Sequence, residues 1–238
     1  MPDHRDPERR LPDGDVPERD EADHGVADPS LVETRHGPAR LIRSPAQQAW
    51  ATLVLGHGAG GRAQARDLGW LARDLPPTGI TVVRMEQPWR VAGGKVASRT
   101  QVLDESWMDA LTHVGASRLV VGGRSAGARV ACRTATSAGA VACLALAFPL
   151  HPPWHPETSR IAELHSSGVP TLVVQGDRDE FGAATAFPVL PGSIRIATLA
   201  GADHQFSVPR GSGRTSAMTR ADLVGHVLGW LHEMIPAT

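Results

Sequence analysis

The pentapeptide Gly123-Arg124-Ser125-Ala126-Gly127 has the spacing of a serine nucleophile held on a sharp turn. The apolar run RLVVG precedes it and the helix-forming run SAGARVACRTA follows it, so the serine is predicted to join a strand to a helix. Glycines two residues to either side fit such a turn, because side chains there would clash. At the helix N-terminus, the N–H of Ala126 would be free to donate to a developing oxyanion. A glycine-rich turn with a capping serine is the structural alternative.

A candidate base and a candidate acid follow later in the chain. A serine hydroxyl becomes a strong nucleophile when an imidazole takes its proton and a carboxylate orients that imidazole. Of the eleven histidines, His204 follows the last predicted strand, at the sheet edge expected to carry the serine. The acid should end the strand before it, where TLVVQ is followed by Asp177, Asp179 and Glu180. From the residues alone, all three carboxylates remain candidates.

A second glycine-rich loop, Gly56-His57-Gly58-Ala59-Gly60-Gly61, follows the first predicted parallel strand. Its glycines would let the backbone approach the serine and offer a second N–H donor to an oxyanion. The same letters fit G-x-G-x-x-G, and Glu86 ends the next strand where a ribose-binding acid could lie. Nucleotide binding is therefore the rival hypothesis for this loop, although it leaves the serine turn unexplained and a Walker lysine is missing.

The elements that must position these residues alternate along the chain. A hairpin is predicted from Leu31–Arg35 and Ala39–Arg43, followed by strand–helix units. The remaining predicted strands are Ala51–Gly56, Thr81–Met85, Arg118–Gly122, Ala140–Ala147, Thr171–Gln175 and Ser193–Thr198. The predicted helices are Arg62–Leu75, Gln101–His113, Ser125–Ser137, Ser159–Ser166 and Ala221–Met234. This pattern predicts an α/β fold with about eight mostly parallel strands and helices on both faces, with ligands at the carboxyl ends of the strands.

Composition divides the chain into a tail and a domain. Residues 1–30 carry ten acidic residues against four arginines, net charge −6, and almost no apolar side chains. They are predicted to be a disordered acidic tail ahead of one domain at 31–238. A total net charge of −1 gives no reason to expect a nucleic-acid or membrane partner. The start has no signal-peptide pattern and no apolar run is long enough to cross a bilayer, so a cytoplasmic location is expected.

Four motifs agree in order and spacing: HGAGG, GRSAG, GDRD and GADH. With them the chain resembles the α/β-hydrolase superfamily from about residue 31 to its end. More narrowly, Glu86–Gly93 and Gly122–Arg129 resemble a small lidless branch that takes in the testis-expressed α/β-hydrolase-like proteins and dienelactone hydrolases. That branch often has methionine and glycine where this chain has Ala126 and Ala128, and both alanines are small enough to keep the turn.

The resemblance implies roles for particular residues. It selects Asp179 as the acid, with Asp177 as the fallback, in a Ser125–Asp179–His204 triad, and it gives the second oxyanion donor to Ala59. The 23 residues from Phe148 to Pro170 leave no room for a cap domain. The site should therefore be open, and we expect it to be lined by the following side chains: His57, Trp89, Arg90 and Trp154.

The function expected from these residues is a serine hydrolase that cleaves a small ester or thioester through an acyl-enzyme. Its partner would be that small molecule, and no metal or organic cofactor is implied. The alternatives are a non-catalytic binding or scaffold protein with the same fold, and an acyltransferase that uses the same triad. The sequence leaves the substrate and the oligomeric state open.

Overall fold

A computed structural model describes residues 29–235, and in that part of the chain eight strands form one sheet in the order β1-β2-β4-β3-β5-β6-β7-β8. The strands are β1 (Ser30–Val32), β2 (Ala39–Ser44), β3 (Ala51–Gly56), β4 (Ile80–Glu86), β5 (Leu119–Arg124), β6 (Ala142–Leu146), β7 (Thr171–Gly176) and β8 (Ile194–Leu199). The α-helices are α1 (Arg66–Asp74), α2 (Pro88–Val91), α3 (Thr100–Leu111), α4 (Ala126–Thr134), α5 (Ile161–His165) and α6 (Ser216–Met234). The predicted acidic tail lies almost wholly outside the described residues.

The two N-terminal strands run against the rest of the sheet. β1 pairs with β2, and β2 pairs with β4, in antiparallel fashion. All other neighbouring strands, from β4 through β3, β5, β6 and β7 to β8, run parallel to one another. The predicted hairpin and the mostly parallel sheet are therefore confirmed. β1 ends at Val32 rather than Arg35 because a tight turn begins at once, where the N–H of Gly37 donates to the carbonyl oxygen of Thr34 at 3.1 Å.

Helices cover both faces of the sheet, as predicted. Along β4, Val82 packs in the cluster that contains residues of α1 and α6, whereas the next residue, Val83, packs with residues of α3 and α4. Both side chains are fully buried. Alternate side chains of a strand point to opposite faces, so each central strand supplies both layers. Each buried valine contributes about 1.5–3 kcal/mol to folding.

Helix boundaries differ from the prediction where local hydrogen bonds decide them. α6 begins at Ser216, earlier than the predicted Ala221, because the hydroxyl of Thr215 caps it by accepting from the N–H of Met218. α1 begins at Arg66 instead of Arg62, since the preceding residues form a turn. α2 was not predicted, and its first residue, Pro88, has the backbone angle that favours a helix start. No helix within residues 29–235 is both long and apolar enough to span a bilayer.

The connection between β6 and β7 is short and closes on itself. Among residues 148–170, α5 is the only helix. The N–H of Arg160 donates to the carbonyl oxygen of Leu150 at 2.7 Å, and its guanidinium donates to that of Pro149 at 3.2 Å. As predicted, no cap domain stands over the carboxyl ends of the strands in this connection.

The turn between β5 and α4 brings the backbone of α4 against that of β3. Ser125 has φ 51° and ψ −114°, a conformation that side chains disfavour. A Cβ atom on Gly127 would lie 2.3 Å from the carbonyl oxygen of Gly56, and one on Gly123 would lie 2.6 Å from the same oxygen. Both contacts are with backbone, which cannot move aside cheaply, so the two outer positions of the pentapeptide must be glycine.

We therefore expect Gly127→Ala to lower the free energy of unfolding by about 1–3 kcal/mol or more, as overpacking does. Gly225→Ala in α6 is the matched control, because no atom lies within 4 Å of its added methyl group. That substitution should raise the free energy of unfolding by about 0.5–1 kcal/mol through helix propensity. Urea titration of both variants measures the difference, and equal stabilities would contradict the steric argument.

Candidate active site

Three polar side chains meet at the carboxyl ends of β5, β7 and β8. His204 Nε2 lies 3.1 Å from Ser125 Oγ, and His204 Nδ1 lies 3.0 and 2.9 Å from the two carboxylate oxygens of Asp179. With Nδ1–H donating to the carboxylate, Nε2 is left as the acceptor for the serine hydroxyl. The arrangement can remove a proton from Ser125 and hold the resulting imidazolium against a carboxylate.

The carboxylate of Asp179 is buried and oriented by further donors. Gln175 Nε2 donates to Oδ2 at 2.8 Å, and the N–H of Phe181 donates to Oδ1 at 2.8 Å. The fallback acid, Asp177, is exposed and accepts instead from the N–H of Gly201 at 2.8 Å. The structure thus places Asp179, and not Asp177, beside the histidine.

The loop that carries His204 is shaped by its own hydrogen bonds. Asp203 Oδ1 accepts from the N–H groups of Gln205 and Ser207 at 2.8 and 2.9 Å. The Phe181 ring lies against the imidazole of His204, with ring centroids 4.2 Å apart. These contacts fix both the backbone and the ring of the histidine, which is 8% exposed.

A buried ion pair connects this loop to the serine turn. The guanidinium of Arg124, the residue before the serine, donates to Asp67 Oδ2 in α1 at 2.9 Å and also to the carbonyl oxygen of His204. Both charged side chains are almost fully buried, with 7% and 4% exposed. Arg124 therefore joins α1, the serine turn and the histidine loop through one side chain.

The glycine-rich loop after β3 lies against the serine. A Cβ atom on Gly58 would be 3.4 Å from Ser125 Cβ. Ala126 is the first residue of α4, where an N–H has no partner within the helix. Within residues 29–235 the N–H of Ala59 makes no hydrogen bond either. Ala59 and Ala126, the two residues predicted to supply oxyanion donors, line the same small cavity.

His57 is held within this loop by both ring nitrogens. Nδ1 lies 2.8 Å from the carbonyl oxygen of Gly58, and Nε2 lies 3.2 Å from the backbone N of Gln87. A neutral ring that donates from Nδ1 and accepts at Nε2 satisfies both contacts. Burial lowers the pKa of His57 below its ordinary value of 6.5. The residue lines the cavity, and its hydrogen bonds hold the glycine-rich loop against the segment that follows β4.

The other three predicted lining residues lie in different places. Trp89 lines the cavity, and the centroids of its ring and of the His57 ring are 5.6 Å apart. Arg90 instead borders a neighbouring polar concavity. Its guanidinium donates to the carbonyl oxygen of Gly94 at 2.9 Å. Trp154 is 74% exposed, at a turn in which the N–H of His155 donates to the Pro152 carbonyl oxygen, and it does not line the cavity.

If the glycine-rich loop were a nucleotide site, the acid expected to bind the ribose would be Glu86, and this residue already has a partner. Glu86 is buried and its carboxylate pairs with the guanidinium of Arg40 on the adjacent strand β2. The loop itself faces the serine turn through Gly58. The contacts of the loop therefore match the oxyanion arrangement better than a ribose site.

Comparison with known proteins then decides the family. A model of alpha/beta hydrolase domains matches residues 49–232, most of the chain. The chain belongs to the α/β-hydrolase family. No curated protein matches it at a significant level. The narrower resemblance to testis-expressed proteins and dienelactone hydrolases stays a prediction.

Solved structures share the α/β-hydrolase fold of this chain. XC6422 from Xanthomonas campestris, an a/b serine hydrolase without lid, is 20% identical with a TM-score of 0.68, covering 90% of this chain and 97% of its own. Est1E from Butyrivibrio proteoclasticus is 11% identical with a TM-score of 0.67, covering 85% and 98%. Alpha/beta hydrolase domain-containing protein 10 from mouse is 10% identical with a TM-score of 0.63, covering 87% and 100%. Identities this low show the shared fold alone.

Several site residues of this α/β-hydrolase were missed by the sequence analysis. Arg124 lies inside the serine motif, but nothing local indicates its partner Asp67, which is 57 positions away. Gln175 ends the predicted strand before the acid, a position that could have marked it as a donor to Asp179. Gln87 and Trp107 line the cavity from elements distant in sequence. Gln87 lies in the segment that carried the narrower family resemblance, whereas nothing in the residues around Trp107 indicated a site.

The neutral, buried state of His57 predicts a pH dependence of stability. Since its folded pKa is lowered, the unfolded chain binds a proton that the folded chain does not, and stability falls as pH drops below about 6.5. His57→Gln removes this group, so its unfolding free energy should fall less steeply between about pH 7 and pH 5, by at most about 1.4 kcal/mol per pH unit. Urea titrations at several pH values test this, and parallel curves for the two proteins would contradict it.

The Arg124–Asp67 pair predicts strong coupling in a double-mutant cycle. Arg124→Met or Asp67→Leu alone leaves one buried charge unpaired and should cost about 3–5 kcal/mol, whereas the double variant should lose much less than the sum. The half-exposed pair Arg195–Glu233 is the matched control, with an expected coupling of about 0–1 kcal/mol. Free energies of unfolding in urea provide both cycles. Additive losses at Arg124 and Asp67 would refute their coupling.

Proposed function

We propose that this α/β-hydrolase is a serine hydrolase that cleaves a small ester or thioester through an acyl-enzyme on Ser125. The observation that carries the proposal is the contact of Ser125 Oγ with His204 Nε2 at 3.1 Å, while His204 Nδ1 faces the Asp179 carboxylate. The hydrogen bond from Nδ1–H to the buried carboxylate favours the tautomer in which Nε2 accepts a proton.

In the acylation half, Ser125 Oγ bonds to the carbonyl carbon of the ester while its proton passes to His204 Nε2. The carbonyl π pair becomes an oxyanion, which faces the N–H groups of Ala59 and Ala126. When the oxyanion collapses, the bond to the leaving oxygen or sulfur breaks. The imidazolium then gives its proton to the leaving group, which departs as an alcohol or a thiol.

In the deacylation half, a water molecule takes the place of the leaving group. It transfers a proton to His204 Nε2 as its oxygen bonds to the acyl carbon. The second tetrahedral intermediate releases the carboxylic acid, and Ser125 Oγ recovers the proton from the imidazolium. Asp179 keeps its negative charge throughout and stabilises each imidazolium by the hydrogen bond to Nδ1.

An ester substrate is supported by the surroundings of the serine. The short β6–β7 connection puts no cap domain over the half-buried Ser125, and the cavity next to it is mainly apolar. Est1E, whose structure with bound ferulic acid has a TM-score of 0.65 and 13% identity to this chain, shares the fold, and its ligand is a small carboxylic acid like the product of the proposed reaction.

Reaction with a fluorophosphonate probe tests the proposal directly. Ser125 Oγ should displace fluoride from phosphorus, and intact mass should show one adduct on the wild type and none on Ser125→Ala. Ser137→Ala, at an exposed serine, is the matched control and should be labelled like the wild type. Asp179→Asn should keep the fold but lower kcat/KM for an activated ester by about 10⁴.

The possible outcomes separate the three candidate functions. Absence of an adduct on folded wild-type protein would contradict the proposal and favour the non-catalytic binding role. Labelling together with ester turnover that yields a new ester when an alcohol is added would identify acyl transfer. Labelling with the free acid as the product supports hydrolysis.

A further inference from the structure

A polar concavity lies at the end of β4, beside the candidate active site. The space in it that water can fill is about 280 Å³, several times the roughly 30 Å³ that one water molecule occupies in the liquid. A carboxylate or a phosphate group therefore fits. Three arginines, one glutamate and one glutamine contribute to its lining: Arg40, Arg62, Arg90, Glu86 and Gln64.

The charges that line this concavity do not balance. The buried carboxylate of Glu86 pairs with the guanidinium of Arg40 on β2, so these two charges cancel. Within residues 29–235, neither Arg62 nor Arg90 forms an ion pair with a carboxylate. The lining therefore has a net charge of +2. Guanidinium groups match the shape of carboxylate and phosphate groups, which they can bind through two parallel hydrogen bonds.

The guanidinium of Arg90 is held at one end by a tight turn. Its Nη1 donates to the carbonyl oxygen of Gly94 at 2.9 Å, and the N–H of Gly94 donates to the carbonyl oxygen of Trp89 at 2.8 Å. A Cβ atom on Gly94 would lie 2.6 Å from that oxygen of Trp89, so the turn requires glycine there. The Nε–H and Nη2 groups of Arg90 have no hydrogen-bond acceptor in the described part of the chain. A side chain fixed in this way loses less entropy on binding a ligand than a freely rotating one.

Arg62 adds a second positive charge from the glycine-rich loop. It follows Ala59, one of the two predicted oxyanion donors, by three residues, so the two Cα atoms are at most about 11 Å apart. The N–H of Ala65 donates to the carbonyl oxygen of Arg62 at 3.0 Å, which closes the turn that leads into α1. The Arg62 side chain is exposed, and its guanidinium has no partner among residues 29–235.

The concavity and the serine are close enough for one small molecule to reach both. Met85, Gly56 and Gly123 lie side by side across β4, β3 and β5. Glu86, in the lining of the concavity, follows Met85, and Ser125 lies two residues after Gly123. Since neighbouring strands lie about 4.8 Å apart, two strand spacings separate the two places by about 10 Å.

We propose that this concavity binds an anionic group, a carboxylate or a phosphate, on the ester or thioester that Ser125 attacks. This rests on the proposed hydrolase function and names its substrate class: esters with a negative charge about 10 Å from the carbonyl carbon that reacts. Arg90 binds the anion through the N–H groups that the turn leaves unpaired. Arg62 supplies the second positive charge, and a neutral ester leaves both charges uncompensated.

Hydration of the two guanidinium groups is the competing explanation, because arginines at protein surfaces are commonly solvated. The two explanations differ in the effect of a negative charge on the substrate. If the concavity binds the anion, the charge raises kcat/KM, chiefly by lowering KM, since the contact is made before the ester reacts and persists while it reacts. Added salt weakens this effect because ions screen the attraction between the charges.

The test compares charged and neutral substrates of similar shape. The first pair carries the charge in the acyl group: 4-nitrophenyl hydrogen suberate and 4-nitrophenyl methyl suberate. The second pair carries it in the leaving group: S-butanoyl-6-mercaptohexanoate and its methyl ester. A third pair, S-butanoyl-6-mercaptohexyl phosphate and its dimethyl ester, shows whether phosphate serves better than carboxylate. In all three pairs the charge is electronically remote from the carbonyl group that reacts.

We expect the wild type to prefer the charged member of at least one pair by about tenfold or more in kcat/KM, as hydrogen bonds to charged groups can provide. The preference should shrink when sodium chloride is added. In Arg62→Gln and in Arg90→Gln the ratio of the two kcat/KM values should fall towards one, while the neutral ester is cleaved at the wild-type rate.

Arg195→Gln is the matched control for the loss of one positive charge. Arg195 lies on β8, at the opposite edge of the sheet from β2 and β4, and pairs with Glu233. Its replacement should leave the ratio unchanged. Circular dichroism and the thermal transition establish that each variant is folded. Because the Arg62 side chain is exposed and has no partner within residues 29–235, Arg62→Gln carries the test if Arg90→Gln does not fold.

The failures of the two proposals look different. If the fluorophosphonate labels Ser125 and both members of every pair are cleaved with equal kcat/KM, the anion site is overturned while the hydrolase proposal stands. If the charged member is preferred but the preference survives in Arg62→Gln and Arg90→Gln, or falls as much in Arg195→Gln, the concavity does not bind the anion and the inference is overturned as well. If Ser125 is not labelled and no ester is cleaved, both proposals fail together.

Discussion

The packing of two backbones against each other controls the geometry of this protein. The carbonyl oxygen of Gly56 at the end of β3 lies so near the start of α4 that Gly127 and Gly123 have no room for a Cβ atom. Only with this approach can Ser125 take its positive φ and stand clear of the sheet. The same close approach places the loop after Gly56 against the serine. One steric constraint therefore determines the positions of both the Ser125 hydroxyl group and the backbone N–H groups proposed to assist its reaction.

The remaining site residues come from strands on the other side of β5, and their alignment depends on buried polar contacts. Gln175, the side chain just before the end of β7, orients the carboxylate of Asp179. Arg124 is anchored by Asp67 and holds the backbone of the histidine loop. The parallel sheet brings the loops to one edge. The hydrogen bonds of Gln175 and Arg124 then hold Asp179, His204 and Ser125 within hydrogen-bonding distance of one another.

The sequence allowed the fold, the serine turn and the order of the triad residues to be predicted because each has a local signature. Glycine spacing, apolar runs and the position of a polar residue after a strand are all readable over a few residues. The choice between Asp177 and Asp179 rested on resemblance, since both follow the same strand and only the course of the loop separates them. The surroundings of the serine were less predictable. Trp154 lies in a turn and Arg90 in the short helix α2, and the direction in which each side chain points depends on packing that the local sequence does not indicate.

The buried polar atoms Gln87 Oε1 and Trp107 Nε1, which have no hydrogen-bond partner, were equally unpredictable. Nothing in the residues that flank Gln87 and Trp107 indicates that a polar atom would lack a partner. Such a deficit becomes visible only when distant elements pack together. For this reason a short motif was enough to suggest the reaction class, whereas the surroundings of the serine became visible only in the assembled structure.

The short connection between β6 and β7 has a consequence for the lifetime of any covalent intermediate. An acyl group bound to Ser125 would lie in a cleft that no separate domain within residues 29–235 closes, so solvent at its bulk concentration would compete with every other acceptor. An alcohol or amine could intercept the acyl group only if the protein bound it beforehand and raised its local concentration. The open cleft therefore favours transfer of the acyl group to water, the most abundant nucleophile. Selectivity for the substrate must then arise when the ester binds, before the acyl-enzyme bond forms.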